Sequence, residues 1–156
     1  MPGASRITGR LWVGAFPPPG DYAKSFDTIV FTAMEHQPSA ESYPGVRVRH
    51  HPFDDSVSPT KKDLEAAAMA SAAVARDLQR GRRVLVTCAM GRNRSALVAA
   101  LALQRCTGAA GADVLSLVRA RRTDAVGVRA LSNPAFQKLL RSLPGACKSP
   151  RLSVRA

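Results

Sequence analysis

The stretch from Val84 to Cys106 constrains this chain more than any other. Val84-Leu85-Val86-Thr87 is a short apolar, β-branched run that reads as a core strand, and Ser95 to Cys106 is an Ala/Leu-rich helical stretch ending near Gly108. Between them lies only the loop Cys88-Ala89-Met90-Gly91-Arg92-Asn93-Arg94. A core strand passing so tightly into a helix belongs to α/β packing, where ligands gather at the carboxyl ends of strands. The remaining segments agree. Leu11–Gly14, Thr28–Thr32 and Val46–His50 read as strands, the last half-exposed because its polarity alternates. Pro52, in the polar break His51–Ser56, argues against a central strand continuing there. Thr60–Gln79 and Ala112–Arg122 read as helices, and Ser132 or Asn133 can cap a further one opening at Pro134. The expectation is a single α/β domain over residues 1–147, with a central, mostly parallel or mixed sheet flanked by helices. A basic, frayed tail over 148–156 is expected to follow.

Composition narrows the class. With 156 residues, 46% of them apolar and 22% charged, the chain suits one globular domain and not a disordered one. The longest charge-free apolar run tested as a span, Ser95–Gln104, is far short of the ~20 residues a bilayer requires. Residues 1–20 hold no apolar signal region, so a cytoplasmic location is expected. The net charge of +12 is uneven: residues 1–78 carry 8 basic and 9 acidic side chains, residues 79–156 carry 15 and 2. A basic half suggests an anionic substrate or partner. The three cysteines, Cys88, Cys106 and Cys147, have neither disulfide-framework nor zinc-ligand spacing. The adjacent His50 and His51 would point to opposite faces of a strand. No metal or other cofactor is expected.

The chemistry gathers in the loop. A thiol at a strand end, backbone N–H groups, a helix N-terminus and the planar fork of Arg94 together suit a phosphoryl dianion. The same fields should favour the thiolate of Cys88. Gly91 allows a left-handed turn or a close backbone approach.

Cys88-Ala89-Met90-Gly91-Arg92-Asn93-Arg94-Ser95 resembles the signature loop of the cysteine-dependent protein tyrosine phosphatases, and its Arg-Ser ending resembles the dual-specificity branch. Ile7–Gly14 is similar to that branch's opening strand, and Asn133-Pro134-Ala135-Phe136 to the start of its last helix. The resemblance spans roughly residues 6–143 and implies a phosphatase of protein phosphotyrosine, with phosphoserine or phosphothreonine as further substrates. It implies that Cys88 attacks phosphorus to form a phosphocysteine, that Arg94 and the loop 89–94 bind the phosphoryl oxygens, and that Ser95 assists the departing sulfur. An Asp would act as general acid and then base; Asp54 and Asp55 both lie where the family keeps it, and the register to Leu64 favours Asp54. Two departures stand out. Thr87 replaces the usual His that helps order the loop and favour the thiolate, and Arg92 stands where protein-directed members often have an apolar residue.

Arg92 and the basic half keep alternatives in view: a phosphoinositide or RNA 5′-phosphate substrate, or a phosphate-binding pseudo-enzyme. Aromatics make up 5% of the chain, which disfavours nucleic-acid recognition by stacking. The expected partner is a phosphorylated protein, with no membrane span. Cys106 is expected to form no bridge to Cys88, since a helix carries it ~1.5 Å further away per residue. Cys147 is expected to be dispensable.

Overall fold

The computed structural model describes residues 3–126 and 129–146, apart from the side chains of 123–126. Cys147 and the tail 148–156 lie outside the described residues. Among them, strands β1 (Ala4–Thr8), β2 (Leu11–Gly14), β3 (Thr28–Ala33), β4 (Arg47–Phe53) and β5 (Val84–Thr87) form one mixed sheet. Its order is β1-β2-β5-β3-β4. β1 runs antiparallel to β2, and the other pairings are parallel. β5 lies in the middle and is buried along its whole length, which explains its unbroken apolar run.

The sheet separates two cores by the strand period of two. Val84 and Val86 of β5 and Val30 of β3 face a core built with α1 (Lys61–Gln79), α2 (Arg94–Thr107), α3 (Gly111–Val126) and α4 (Pro134–Arg141). Leu85, Ile29 and Phe31 face the other way, into a cluster with Phe26, Tyr43 and Val46. The described α-helices thus share one face, and short 3₁₀ turns with aromatic side chains cover the other. Each fully buried Leu or Val contributes about 1.5–3 kcal/mol, so the alternation fixes the register of β5 firmly.

Local chemistry sets the helix ends. Thr60 caps α1 in a reciprocal box: its Oγ1 accepts from Asp63 N–H (3.1 Å), and Asp63 Oδ2 accepts from Thr60 N–H (2.9 Å). Asn133 caps α4 through Ala135 and Phe136 N–H, with Pro134 in the first turn. Gly108, at φ 69°, ends α2.

Two expectations need correction. Ile7–Gly14 is not one strand but the end of β1, a turn at Gly9-Arg10 and β2, an antiparallel hairpin. β4 also runs through Pro52 to Phe53. It is the edge strand, where the missing N–H of proline costs no ladder bond, and the register shifts beside it between Phe31 and Ala33.

Candidate active site

β5 delivers Cys88 to the carboxyl end of the sheet, and α2 begins six residues later. The loop between them is held open from outside. Gly91 and Met90 turn their carbonyls to the Arg122 guanidinium (Nε to Gly91 O, 2.8 Å; Nη2 to Met90 O, 3.3 Å). The Arg92 carbonyl accepts from Leu131 N–H at 2.9 Å. Three successive carbonyls therefore point outward. None of the N–H groups of Ala89–Asn93 is paired with a protein acceptor among the described residues. A turn whose carbonyls face out leaves its amides facing a concavity, the geometry of an anion nest. Gly91 adopts φ 64°, and a Cβ there would collide with Arg122 and with the Gly14 backbone. The loop closes this tightly only with glycine.

Inside the loop, Cys88 is buried, with 3% of its surface exposed. Its Sγ lies 3.1 Å from Ser95 Oγ, on the first turn of α2. Its N–H donates to the Gly14 carbonyl (3.3 Å), tying the Cys88 backbone to β2. Thr87 takes no part in this contact. Its hydroxyl donates to the Val30 carbonyl (3.1 Å), and its own carbonyl accepts from Thr32 Oγ1 (2.7 Å), so the side chain knits β5 to β3.

Arg94 is fixed by a residue that motif reading passes over. Its Nη1 and Nη2 donate to the two Glu35 carboxylate oxygens at 2.8 and 2.6 Å, and Nη1 also reaches the Phe53 carbonyl at 3.3 Å. Arg94 Nε is buried and has no hydrogen-bond partner. Burial opposes the charge of Arg94, but the Glu35 contact and the attraction of Cys88 and Asp55 outweigh it and raise its pKa. The Arg94 hydrogen bonds in turn hold Glu35 at about 2. Glu35 follows β3 by two residues and carries no local signal. Its role arises only because β3 lies beside β5 in the sheet.

The two candidate acids are placed differently. Asp54 anchors its segment through its backbone N–H, which donates to Asp63 (3.2 Å), and its carboxylate contacts no loop residue among the described residues. Asp55 reaches the loop: Oδ2 accepts from Asn93 Nδ2 (2.9 Å) and Oδ1 from Asn133 Nδ2 (2.8 Å). Asn93 Oδ1 accepts from the Asn133 N–H (3.1 Å), which closes a three-residue network. The register that favours Asp54 is thus set against a geometry that brings Asp55 to the site. The reason is tertiary, since Asn133 lies 78 residues from Asp55.

Arg122 has no signal in the motif either. It is 1% exposed, donates its third contact to Ser5 Oγ (3.1 Å), and pairs with no carboxylate among the described residues. Arg92 is half-buried, and its Nε also lacks a partner. Cys106 sits near the far end of α2, with Sγ 3.8 Å from the Ala75 carbonyl, and burial pushes its thiol up. Cys88 and Cys106 are both free. Among the described residues, no group of three or more His, Cys, Asp or Glu could hold a metal ion. No described helix is long and apolar enough to cross a membrane.

No family model matches the sequence, and no curated protein matches it. Solved structures do. Tk-PTP in the active form is 25% identical, with 90% of this chain and 97% of that one covered and a TM-score of 0.70. A mouse putative dual specificity phosphatase complexed with zinc tungstate is 24% identical, with 91% and 86% covered and a TM-score of 0.74. Human DUSP28 is 23% identical, with 91% and 93% covered and a TM-score of 0.68. The resemblance read from the loop thus extends over nine-tenths of the chain. The fold is that of the cysteine-dependent tyrosine and dual-specificity phosphatases.

Proposed function

We propose that this chain is a phosphatase that hydrolyses phosphomonoesters through a phosphocysteine, acting on aryl phosphates such as phosphotyrosine in proteins. One observation carries the reading. The buried Cys88 sulfur lies in a loop whose amides are unpaired, beside an Arg94 whose fork is pinned by Glu35 and whose Nε is unpartnered. That is a preorganised anion site around a nucleophile, the arrangement that stabilises charge on a transferring phosphoryl group.

In the first step, the Cys88 thiolate forms an S–P bond as the P–O bond to the leaving group breaks. Arg94 and the loop amides hold the three equatorial oxygens. The departing oxygen takes a proton from Asp55, which we assign as the acid because the Asn93–Asn133 network holds its carboxyl at the loop. In the second step, Asp55 accepts a proton from water, the new O–P bond forms, and the S–P bond breaks to return the thiolate and phosphate. Ser95 Oγ, 3.1 Å from the sulfur, supports the thiolate as it leaves.

Exposed side chains on the same segments support a reading of what lies beyond the phosphate. Met90 is in the loop, Met34 precedes Glu35, and Val57 follows the Asp55 segment; these side chains are 59%, 59% and 68% exposed. Exposed apolar side chains on the segments that carry Cys88, Glu35 and Asp55 favour an apolar or aromatic substrate group. Arg92, with its buried unpartnered Nε, favours a second reading, a substrate carrying more than one phosphate. Acid-quenching the enzyme with a phosphotyrosine peptide, followed by mass spectrometry, should find phosphate on Cys88. Turnover without phosphate on Cys88 would overturn the mechanism. If Arg92→Ala lowers kcat/KM several-fold more for a multiply phosphorylated substrate than for the peptide, the second reading prevails.

A further inference from the structure

Arg122 is a buried cation that the proposed chemistry does not itself require. It lies on α3, 34 residues beyond Cys88, yet its guanidinium is fastened to the outside of the loop through the Met90 and Gly91 carbonyls. Burial of an unpaired charge is costly, and a site normally neutralises it with a carboxylate. Among the described residues, the groups facing it are the neutral Ser5 hydroxyl, two carbonyls and Tyr22, whose phenol is pushed up by burial. Burial lowers the Arg122 pKa, and among the described residues the opposing charge left to it is the Cys88 thiolate of the proposed chemistry. Arg94, the other buried guanidinium of the site, already has Glu35.

We propose that Arg122 is a positioning residue of the site: from behind the loop it turns the Met90 and Gly91 carbonyls outward, and it supplies the buried countercharge for the anion inside, thiolate or phosphate. This rests on Cys88 being the nucleophile. Two effects follow from one side chain. The fork shapes the nest by occupying both carbonyls, and the positive charge raises the affinity of the nest for anions. Because Thr87 is committed to the sheet, Arg122 is the group that does for the sulfur what a residue before it could not. The glycine at 91 belongs to the same device, since any Cβ there would displace the guanidinium.

Arg122→Met keeps much of the side-chain volume and removes the charge and the fork; Arg122→Lys keeps the charge and removes the fork. The readouts are the rate of Cys88 alkylation by iodoacetamide at pH 6, competitive inhibition by inorganic phosphate, and kcat, with circular dichroism to establish folding. In folded Arg122→Met, alkylation should slow about tenfold and phosphate inhibition should weaken about tenfold, the effect of one unit of differential charge stabilisation. Arg122→Lys should restore both to within about threefold while kcat stays about tenfold down, because an ammonium lacks the rigid fork whose Nε and Nη2 meet the two carbonyls separately. A folded Arg122→Met with wild-type alkylation and phosphate inhibition overturns the proposal. If Arg122→Met does not fold, Arg122→Lys decides alone, and wild-type kcat in that variant overturns it. Failure to trap phosphate on Cys88 of the wild-type enzyme would instead remove the mechanism beneath it.

Discussion

The two ends of the parallel strands handle buried charge in opposite ways. Where β5 begins, Asp77 of α1 is fully buried, and its carboxylate is met by Arg49 (3.1 Å) and Arg82 (2.6 Å). Where β5 ends, Arg122 is buried without any carboxylate among the described residues, and Arg94 keeps an unpartnered Nε beside its one carboxylate. The first end is saturated: two cations surround one anion, and the backbone N–H of Arg82 also caps the Asp77 carbonyl (3.0 Å). The second end is left short of negative charge. A structural cluster satisfies itself, and a binding site leaves its unpaired charge for the ligand to complete.

The largest test of that contrast lies at the sulfur. Cys88→Ser should lower turnover of an aryl phosphate by about 10⁴-fold or more, as loss of a nucleophile does, while binding of inorganic phosphate stays within a few-fold. Phosphate binding lost along with turnover would show that the loop needs the sulfur to hold its shape, and the contrast would fail.

The saturated end should respond in stability instead. Asp77→Asn leaves two guanidinia facing a neutral group and should cost about 2–4 kcal/mol in denaturant unfolding, with kcat per folded molecule unchanged. Burial raises the Asp77 pKa, but the bonds from Arg49 and Arg82 outweigh it, so the pKa is lowered overall. A lowered folded pKa means the stabilisation is present above the ordinary value of 3.8 and is lost as pH falls below it. A kcat change as large as the stability change would mean that the two ends are coupled.

Asp55→Asn against Asp54→Asn sharpens the site itself. Asp55→Asn should slow hydrolysis about 10²-fold for poor leaving groups, and less for good ones that depart without a proton. Asp54→Asn should stay within about twofold by the same reasoning. The reverse ranking would return the acid role to the residue that the sequence register favours.

Of the residues assigned a part in the site, Glu35 has the smallest expected effect. Glu35→Gln should raise KM about fivefold, near the 1 kcal/mol expected of a partly exposed pair, with little change in Tm. Glu35 is held at about 2 by the Arg94 hydrogen bonds. Its support for Arg94 is therefore complete above the ordinary value of 4.5 and disappears as pH falls toward about 2. An unchanged KM would show that the Phe53 carbonyl and local packing suffice to hold the fork.

Much of this architecture is legible without coordinates because its causes are local. The Val84–Thr87 run, the glycine in the loop and the Ala/Leu spacing after Arg94 each act within a few residues, and β5, the loop and α2 lie where they indicate. The cap of α4 is narrowed to Ser132 or Asn133 because capping is a three-residue interaction, and the structure gives Asn133. Helical spacing counts Thr60 into the helix, whereas it is the cap of α1. Pro52 misleads because a proline excludes a central strand and not an edge one, and edge position is a property of the whole sheet.

The sequence by itself determined the strand, the loop and the thiol in it, since backbone sterics, periodicity and the presence of a Cys and an Arg require nothing distant. The tertiary structure decided which carboxylates and which second cation join them. Glu35 meets Arg94 across 59 residues, Asn133 meets Asp55 across 78, and Arg122 meets Gly91 across 31. Contacts at those separations depend on strand order and helix packing, and no spacing rule along the chain encodes them. A side chain's charge is written in the sequence, but whether that charge is paired, exposed or buried alone is fixed only when the chain has folded around it.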